Sequence, residues 1–298
     1  MRKILLSLAL IFVMLAGAQT IDTVITDTVR IEHYDDGSKD TLSISKIDSI
    51  TFGYMNDTIW VSNNLGSFLL PGNATCDTQY ISVTGCGGLT TLSYNGYSYD
   101  LVEIGGQCWF KKNLQTSTYR DGTPIDYPGT DNTAWSSNIT GAYTWYDNDS
   151  TTYAPTYGAL YNWYSVDNSA GLCPAGWHVP TDCEWMYLED ALGMSTADQQ
   201  MIGPRGTDEG GKLKETGTTH WNSPNTGAAI ISGFTGLPGG SRDYFGYYYD
   251  IGNYGYWWSA SQKLTTNTWY RYLYYNNSFV TRYYDNRENG FSVRCLKD

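Results

Sequence analysis

The sequence predicts an α+β fold with few helices, many short strands and long structured loops. Three observations lead to this prediction. Short runs of strand-forming residues recur along the chain, and only one helical pattern has both a clear start and a clear stop. The remaining sequence is rich in Tyr, Trp, Gly and Asn, with frequent turn signals. Few helices combined with many short strands indicate the α+β class.

The first eighteen residues predict a secretory signal peptide. Arg2 and Lys3 supply a positive start, an apolar run covers residues 4–15, and Ala16-Gly17-Ala18 offers the small-residue cleavage pattern. The run is short for a bilayer span, and no later stretch reaches about 18 apolar residues. We therefore expect an exported chain, extracellular or at the cell surface, with no membrane insertion after cleavage. A retained N-terminal anchor is the alternative.

Residues 19–62 predict a small β-hairpin module. Alternating residues over 23–31 and 41–52 flank Asp35-Asp36-Gly37, a hairpin turn signal. The stretch 29–52 resembles a short β module at the front of many Bacteroidota-type surface proteins. Residues 63–86 are rich in Gly, Asn, Ser and Thr and are expected to form a linker.

The cysteine count and the charge limit the function classes. Six cysteines in an exported chain predict disulfides, and six cysteines allow fifteen pairings. Cys76 and Cys86 are close enough to close a local loop. The net charge is −12, and loss of Arg2 and Lys3 with the signal segment makes it −14. A surface this acidic repels phosphate backbones, which argues against nucleic acid as a partner.

The region from residue 87 onward contains one clear helical pattern. Thr181 and Glu184 form a capping box, and Gly193 ends the helix. Between them, apolar residues recur at helical spacing: Trp185, Leu188 and Leu192. A second helix is expected to start at Ser195, with Asp198 at its third position. Short strands are predicted over residues 97–104, 269–275 and 291–296.

Six segments, in order, carry a resemblance to a known family. They are IGGQCWFKKNL (104–114), YGALYNWY (157–164), LCPAGWHVP (172–180), GFTGLPGG (233–240), YWWS (256–259) and GFSVRC (290–295). With these segments, residues 94–298 resemble the Fibrobacter succinogenes major paralogous domain family. We assign residues 87–298 to this domain.

The resemblance implies a fold but no agreed activity. The family is similar to C-type-lectin-like domains, on the side that includes formylglycine-generating-enzyme-type domains. In that architecture the helix after Pro180 packs on a twisted sheet, and a disulfide ties it to the last strand. This implies a Cys173–Cys295 bond and leaves Cys108 to pair with Cys183.

The last sixty residues are the best candidate for a binding surface. They hold 12 of the chain's 27 tyrosines, mixed with Asn, Ser and Asp. Tyrosine gives a large contact area at low entropic cost, and Ser and Asn supply adaptable hydrogen bonds. Period two over residues 269–275 predicts that Trp269, Arg271 and Leu273 face inward and that Tyr270, Tyr272 and Tyr274 face outward. A tyrosine-rich surface without a ligand is the alternative.

The contact residues that we predict share one exposed face near the C-terminus. They are Tyr247, Tyr248, Tyr249, Tyr272, Tyr274, Asn276, Tyr283, Tyr284 and Asp285. The ligand is expected to be a glycan or a protein on a neighbouring surface. The tail also resembles the variable proteins of diversity-generating retroelements, in which Asn, Tyr, Ser and Asp occupy hypermutated positions. That resemblance implies a diversified receptor.

Other candidate sites are weaker. Asp147 and Asp149 could ligate calcium, with a solvated acidic loop as the alternative. His178 is expected to be a hydrogen-bonded structural residue, and we predict no other cofactor or metal. No GxSxG, HExxH or P-loop motif is present. We therefore expect a binding protein without catalytic activity, with a carbohydrate-active enzyme or a structural envelope component as alternatives.

Overall fold

The computed structural model describes residues 84–229 and 231–298 in full and, before residue 84, only the backbone of short strands. Side chains before residue 84, including the predicted cleavage site and Cys76, lie outside the described residues. The chain divides into two compact units, Met1–Tyr80 and Ile81–Asp298. No helix among the described residues is long and apolar enough to cross a bilayer.

The first unit contributes short antiparallel strands. They are β1 (Ile4–Ser7) paired with β2 (Leu10–Val13), then β3 (Gln19–Ile25), β4 (Thr28–His33) and β5 (Lys39–Ser43) in one sheet, and β6 (Tyr54–Met55), β7 (Thr58–Asn63) and β8 (Gly66–Leu69) in another. The predicted turn at residues 35–37 lies between β4 and β5. Strand β8 lies within residues 63–86, which the sequence presents as a linker.

The second unit has few helices and several sheets. Its described helices are α1 (Asn132–Ser136), α2 (Ser150–Tyr157), α3 (Trp163–Val166), α4 (Asp182–Ala191), α5 (Thr196–Gln199) and α6 (Glu209–Leu213). Its strands are β9 (Thr91–Tyr94), β10 (Tyr97–Ile104), β11 (Gln107–Phe110), β12 (Tyr143–Thr144), β13 (Leu160–Tyr161), β14 (Trp177–His178), β15 (Gly203–Arg205), β16 (Gly239–Arg242), β17 (Tyr248–Ile251), β18 (Tyr254–Gln262), β19 (Asn267–Tyr274), β20 (Val280–Asn286) and β21 (Leu296–Lys297).

Two larger sheets organise these strands. A five-stranded sheet has the order β14-β21-β11-β10-β9, and a six-stranded sheet has the order β15-β20-β19-β18-β16-β17. Strands β18, β19 and β20 form an antiparallel meander, whereas β16 runs parallel to β18 through the pair Gly240 and Gly255. Strands β12 and β13 form a separate pair. The six-stranded sheet contains most of the predicted contact residues.

Helix α4 has the predicted start and stop. The Thr181 side chain accepts from the Glu184 backbone amide, and the Glu184 carboxylate accepts from the Thr181 amide, so both halves of the capping box are present. Gly193 follows the helix with φ +105°. Helix α5 is also confirmed, since the Ser195 side chain accepts from the Asp198 amide.

The strand predictions are confirmed except at the C-terminus. Strand β10 has the predicted bounds, and β19 covers residues 267–274. The predicted strand over 291–296 is wrong, because only Leu296–Lys297 is a strand. Before it, the Ser292 carbonyl accepts from Trp258, the Val293 carbonyl from Leu114 and the Cys295 carbonyl from Phe110. These bonds go to different segments, so no continuous strand ladder forms.

A buried ionic network joins α4 to the six-stranded sheet. Arg271 of β19 lies 2.6 Å from the Asp182 carboxylate and 2.7 Å from the Glu189 carboxylate. Arg282 of β20 also contacts Asp182, and Arg205 of β15 lies 2.8 Å from Glu189. All five side chains are buried, so each charge depends on its partners. The network fixes α4 against one side of the sheet and leaves the other side for different contacts.

The disulfides correct part of the predicted connectivity. Cys173 bonds Cys295, as the family resemblance implies, but Cys86 bonds Cys108. The predicted Cys76–Cys86 and Cys108–Cys183 pairs are therefore wrong. The Cys86 amide donates to the Glu103 carboxylate, and Glu103 pairs with Cys108 in the β10–β11 hairpin, which brings the two cysteines together. Cys183 is disulfide-bonded as well.

Candidate functional site

Four tyrosines form a continuous row on the meander β18–β19, here called the tyrosine ladder. In register, Tyr254 lies opposite Tyr274 and Tyr256 lies opposite Tyr272. The rings of Tyr254 and Tyr274 stack with centroids 4.4 Å apart, and Tyr254 also stacks on Tyr256 at 5.6 Å. Tyr272 lies 5.6 Å from both Tyr254 and Tyr256. All four side chains are half-buried, so the ladder presents ring surface and hydroxyl groups to solvent.

Period two places the ladder on the side of β19 that faces away from α4. Trp269, Arg271 and Leu273 are buried, as predicted. Arg271 contacts α4, and Leu273 belongs to a hydrophobic cluster with Trp185 and Trp257. A different cluster, with Trp258, Tyr270 and Phe291, lies on the ladder's side. The alternate residues Tyr272 and Tyr274 point to the other side. The predicted alternation of sides is therefore confirmed for Tyr272 and Tyr274.

Tyr270, which continues this row along β19, is buried, contrary to the prediction. It belongs to the outward-facing set, yet it is only 6% exposed. The Phe291 ring covers it at 4.8 Å, and Trp258 lies opposite it in register at 6.0 Å. The same Phe291 ring stacks on Tyr256 at 5.0 Å. The segment after β20 thus covers the end of the row at Tyr270. The end at Tyr254 and Tyr274 is not covered by Phe291.

Asp250 lies beside the ladder, next to Tyr254 and Tyr256. The Tyr256 hydroxyl donates to its carboxylate at 2.8 Å. Asp250 has φ +70°, a left-handed conformation that costs a non-glycine residue on the order of 1 kcal/mol. Burial and the nearby charges of Tyr274 and Asp250 raise the pKa of Tyr254 to about 12. Burial raises the pKa of Tyr256 too, and the Asp250 charge adds to the shift, so both phenols stay protonated.

The hairpin β16–β17 holds three predicted contact residues in different environments. Tyr247 is 56% exposed and Tyr249 is 50% exposed, so both are available to a ligand. Tyr248 is half-buried: its hydroxyl lies 2.6 Å from the Thr144 hydroxyl, and the Arg242 guanidinium lies over its ring. Tyr248 therefore has structural partners within the domain, and its role as a ligand contact stays a prediction.

Strand β20 and the turn before it place the remaining predicted residues on two sides. Tyr283 lies opposite Tyr270, which puts it on the ladder's side, and it is 45% exposed. Tyr284 lies opposite Trp269 and packs edge-on against it, so it faces the other side of the sheet. Asp285 is half-buried, and its carboxylate accepts from the Asn286 amide. Asn276 is exposed in the turn after β19.

The acidic loop and His178 have structural partners. The Asp149 side chain caps α2 by accepting from the Thr152 amide, and Asp147 adopts φ +52° in the preceding turn. His178 lies between the Glu184 and Asp298 carboxylates, at 2.9 and 2.6 Å. Within the described ranges, no three His, Cys, Asp or Glu residues gather in a group that could hold a metal ion.

Sequence reasoning missed three members of the site. Tyr254, Tyr256 and Asp250 were not among the predicted contacts, although the two tyrosines complete the ladder and Asp250 accepts a hydrogen bond from Tyr256. The alternation of Tyr254 and Tyr256 with Gly255 and Trp257 is the same period-two signal that identified Tyr272 and Tyr274. Asp250 gave no comparable signal, because its position depends on the pairing of β16 with both β17 and β18.

Comparison with known proteins gives one match. No curated protein and no solved structure matches the chain. The family described as the Fibrobacter succinogenes major domain matches residues 102–297. The match includes both disulfide-bonded residues of the Cys173–Cys295 pair and the whole tyrosine ladder. Since it extends over more than half of the chain, the protein belongs to the Fibrobacter succinogenes major domain family.

Proposed function

We propose that the protein is an exported or cell-surface ligand-binding protein without catalytic activity, and that it binds through the tyrosine ladder and the exposed aromatic residues near it. The observation that carries the proposal is the ladder itself. Four half-buried rings, 4.4 to 5.6 Å apart, present a continuous aromatic surface on a sheet. Exposed Tyr249 and Tyr283 lie on strands of the same sheet.

The physical properties of the ladder suit recognition. Each tyrosine contributes a rigid ring with only two side-chain torsions, so little entropy is lost when a ligand orders it. Ring stacking already restricts Tyr254 and Tyr274 before a ligand arrives. Their backbone lies in a six-stranded sheet fixed by the ionic network beneath it. A preorganised aromatic surface of this kind reduces the cost of binding.

Two ligand classes fit this surface. A glycan would stack its rings on the tyrosines and form hydrogen bonds to the phenols and to Asp250. A protein partner would pack side chains against the ladder, since tyrosine is common among residues that dominate interface energies. Both classes occur on neighbouring cell surfaces.

A double substitution tests the assignment of the surface. Tyr272→Ala with Tyr274→Ala removes half of the ladder, and we expect it to weaken ligand binding at least tenfold. The matched control is Tyr97→Ala, which removes an exposed tyrosine from β10 in the five-stranded sheet. Binding would be measured on a glycan array and by peptide display. Unchanged binding by the double variant would show that the surface is elsewhere.

Export is supported by the disulfides and by the N-terminal pattern. Cys86–Cys108 and Cys173–Cys295 are bonds that persist in oxidising compartments. Arg2, Lys3 and the apolar run that follows them favour secretion. Sequencing the N-terminus of the mature protein tests this, with a start at Gln19 expected. A mature protein that starts at Met1 would contradict cleavage.

A C-type-lectin-like fold is the finer architecture that we propose for residues 87–298. Support comes from the family resemblance, from α4 packed on the six-stranded sheet and from the disulfide that joins Cys173 before α4 to Cys295 near the chain end. An experimental structure compared strand by strand with lectin-like domains would test this. A different strand order in the sheets would reject it.

Diversification by a retroelement is a further proposal for the same surface. The residue types that such a system varies occur at exposed or half-buried positions here, for example Tyr249, Asn276 and Tyr283. Intervening scaffold residues are buried: Trp257, Trp258, Trp269, Arg271, Gly290 and Phe291. Sequencing the DNA for residues 239–298 and its flanks in a natural population tests the idea. An invariant tail with no template repeat would contradict it.

A further inference from the structure

The Asp250 carboxylate is half-buried and has few polar partners. It accepts one hydrogen bond, from the Tyr256 hydroxyl, and within the fully described ranges no Lys or Arg forms an ion pair with it. It is half-buried, so water screens it less than a fully exposed carboxylate. The chain carries a net charge of −12, which adds to the negative potential around it.

The tyrosines around Asp250 add to the same potential. The faces of tyrosine rings carry negative charge density, which attracts cations. The Asp250 charge also contributes to the raised pKa of Tyr146, Tyr254 and Tyr256, after the larger effect of burial. The carboxylate is therefore close to three phenols from two elements: Tyr146 in the turn before α2, and Tyr254 and Tyr256 in β18.

The backbone of Asp250 adopts a conformation that non-glycine residues seldom adopt. Its left-handed φ of +70° occurs within β17, and the Asn253 amide donates to its carbonyl at 2.9 Å in the turn that follows. A strained residue persists where the surrounding structure determines it, and such residues cluster at binding sites. Here the strain accompanies a carboxylate aimed at the ladder.

We propose that the ligand presents an organic cation, the ammonium of a Lys or the guanidinium of an Arg on a protein partner, to Asp250 beside the tyrosine ladder. This rests on the proposed function of the ladder as a binding surface. The cation pairs with the carboxylate, and its aliphatic stem lies along the rings of Tyr254 and Tyr274. Tyr256 holds the carboxylate by its hydrogen bond.

The choice of a cation over a neutral glycan follows from charge. A sugar hydroxyl donates a stronger hydrogen bond to a carboxylate than to an amide oxygen, but as a neutral group it gains no attraction between two full charges. A cation gains the Coulomb attraction only from the carboxylate. Asp250→Asn combined with added salt separates the two cases, because salt screens a pair of full charges and weakens a hydroxyl hydrogen bond little. Asn also keeps the shape of Asp and tolerates left-handed φ.

Panning a random-peptide phage library against the full chain tests the proposal. Four proteins are compared: the wild type, Asp250→Asn, Tyr274→Ala, and Asp100→Asn, which removes one exposed negative charge from β10. Near-ultraviolet circular dichroism checks that each variant is folded. We expect wild type and Asp100→Asn to select peptides rich in Lys or Arg. These peptides should bind Asp250→Asn and Tyr274→Ala at least tenfold more weakly, and added salt should weaken wild-type binding.

The other outcomes separate this inference from the function it rests on. Peptides that depend on Tyr274 but bind Asp250→Asn as tightly as wild type would overturn the cation and leave the ladder as the binding surface. The same holds if only neutral glycans on an array depend on Tyr274. If neither peptides nor glycans depend on Tyr274, both the cation and the function of the ladder are rejected.

Discussion

Some buried Arg and Lys side chains stabilise this domain by donating hydrogen bonds to neutral amide and carbonyl oxygens, and not only to carboxylates. Arg294 is buried and donates to the Asn113 side chain and to the carbonyls of Phe110, Phe234 and Thr235. Burial lowers its pKa to about 9. Lys214 is also buried, and its ammonium donates to the carbonyls of Thr226, Tyr274 and Asn277. Tyr274 is the last residue of β19, so its bond to Lys214 helps to position one edge of the ladder.

His178 makes stability depend on pH in a defined window. Burial lowers its pKa, but the hydrogen bonds and charges of Glu184 and Asp298 outweigh this and raise the pKa to about 9, from 6.5. A raised folded-state pKa stabilises the fold fully below pH 6.5, and this contribution is lost as pH rises through 9. The contribution is on the order of 1–2 kcal/mol once partial exposure is allowed for.

Urea unfolding at pH 6 and pH 9.5 checks this. We expect the free energy of unfolding of the wild type to exceed that of His178→Gln at pH 6 and to approach it at pH 9.5. Taking the difference between the two proteins removes the titration of other groups. A difference that stays constant across this range would contradict the assigned pKa.

Several residue-level predictions succeeded because they depend on neighbours in sequence. The inward positions of Trp269, Arg271 and Leu273 follow from period two along one strand. Tyr270 has the same local pattern as Tyr272, but its environment is set by Phe291, twenty-one residues later. Tyr284 lies on the wrong side for a similar reason, because pairing with Trp269 fixes its side and pairing is not visible in composition.

At the scale of elements, α4 shows how a helix with modest amphipathic character becomes a central part of the fold. Its start is fixed by the capping box, and its acidic residues Asp182 and Glu189 are buried against the sheet arginines. The sequence revealed the cap but not the partners of these acids, because three different strands supply the arginines. Helix α2, capped by Asp149, was missed because Pro155 interrupts a helical pattern.

The capping box gives a prediction for α4. Thr181→Ala removes the acceptor for the Glu184 amide and should lower the free energy of unfolding by about 1 kcal/mol. Thr181→Ser keeps a hydroxyl at the cap and serves as the control, with little loss expected. Both are measured by urea denaturation at pH 7. An equal loss in both variants would show that the threonine methyl, and not the cap, is responsible.

At the scale of the whole domain, the two described disulfides constrain the chain over different lengths. Cys173–Cys295 spans 122 residues of sequence and Cys86–Cys108 spans 22. Spacing alone could not choose among the fifteen pairings, and it favoured the wrong partner for Cys86. The long-range bond followed from the family resemblance, since a pairing across most of a domain leaves no local signal.

Loop length predicts the relative effect of removing each bond. The loss of loop-closure entropy gives about 5 kcal/mol for the longer loop and about 3 kcal/mol for the shorter one. We therefore expect Cys173→Ala with Cys295→Ala to destabilise the domain more than Cys86→Ala with Cys108→Ala. Thermal unfolding of both double variants measures the order. A reversed order would show that strain or residual structure in the unfolded chain outweighs loop length.

The tyrosine ladder also has an optical consequence. Rings that stack at 4.4 Å couple their electronic transitions, so the ladder should give a near-ultraviolet circular dichroism band beyond the sum of isolated tyrosines. Excitation can pass inward from Tyr272 to Tyr270, 6.1 Å away, and then to Trp258 at 6.0 Å. A ligand that separates or quenches the ladder rings would lower the fluorescence of Trp258 without contacting it. Tryptophan emission is therefore a label-free measurement for the proposed binding by the ladder.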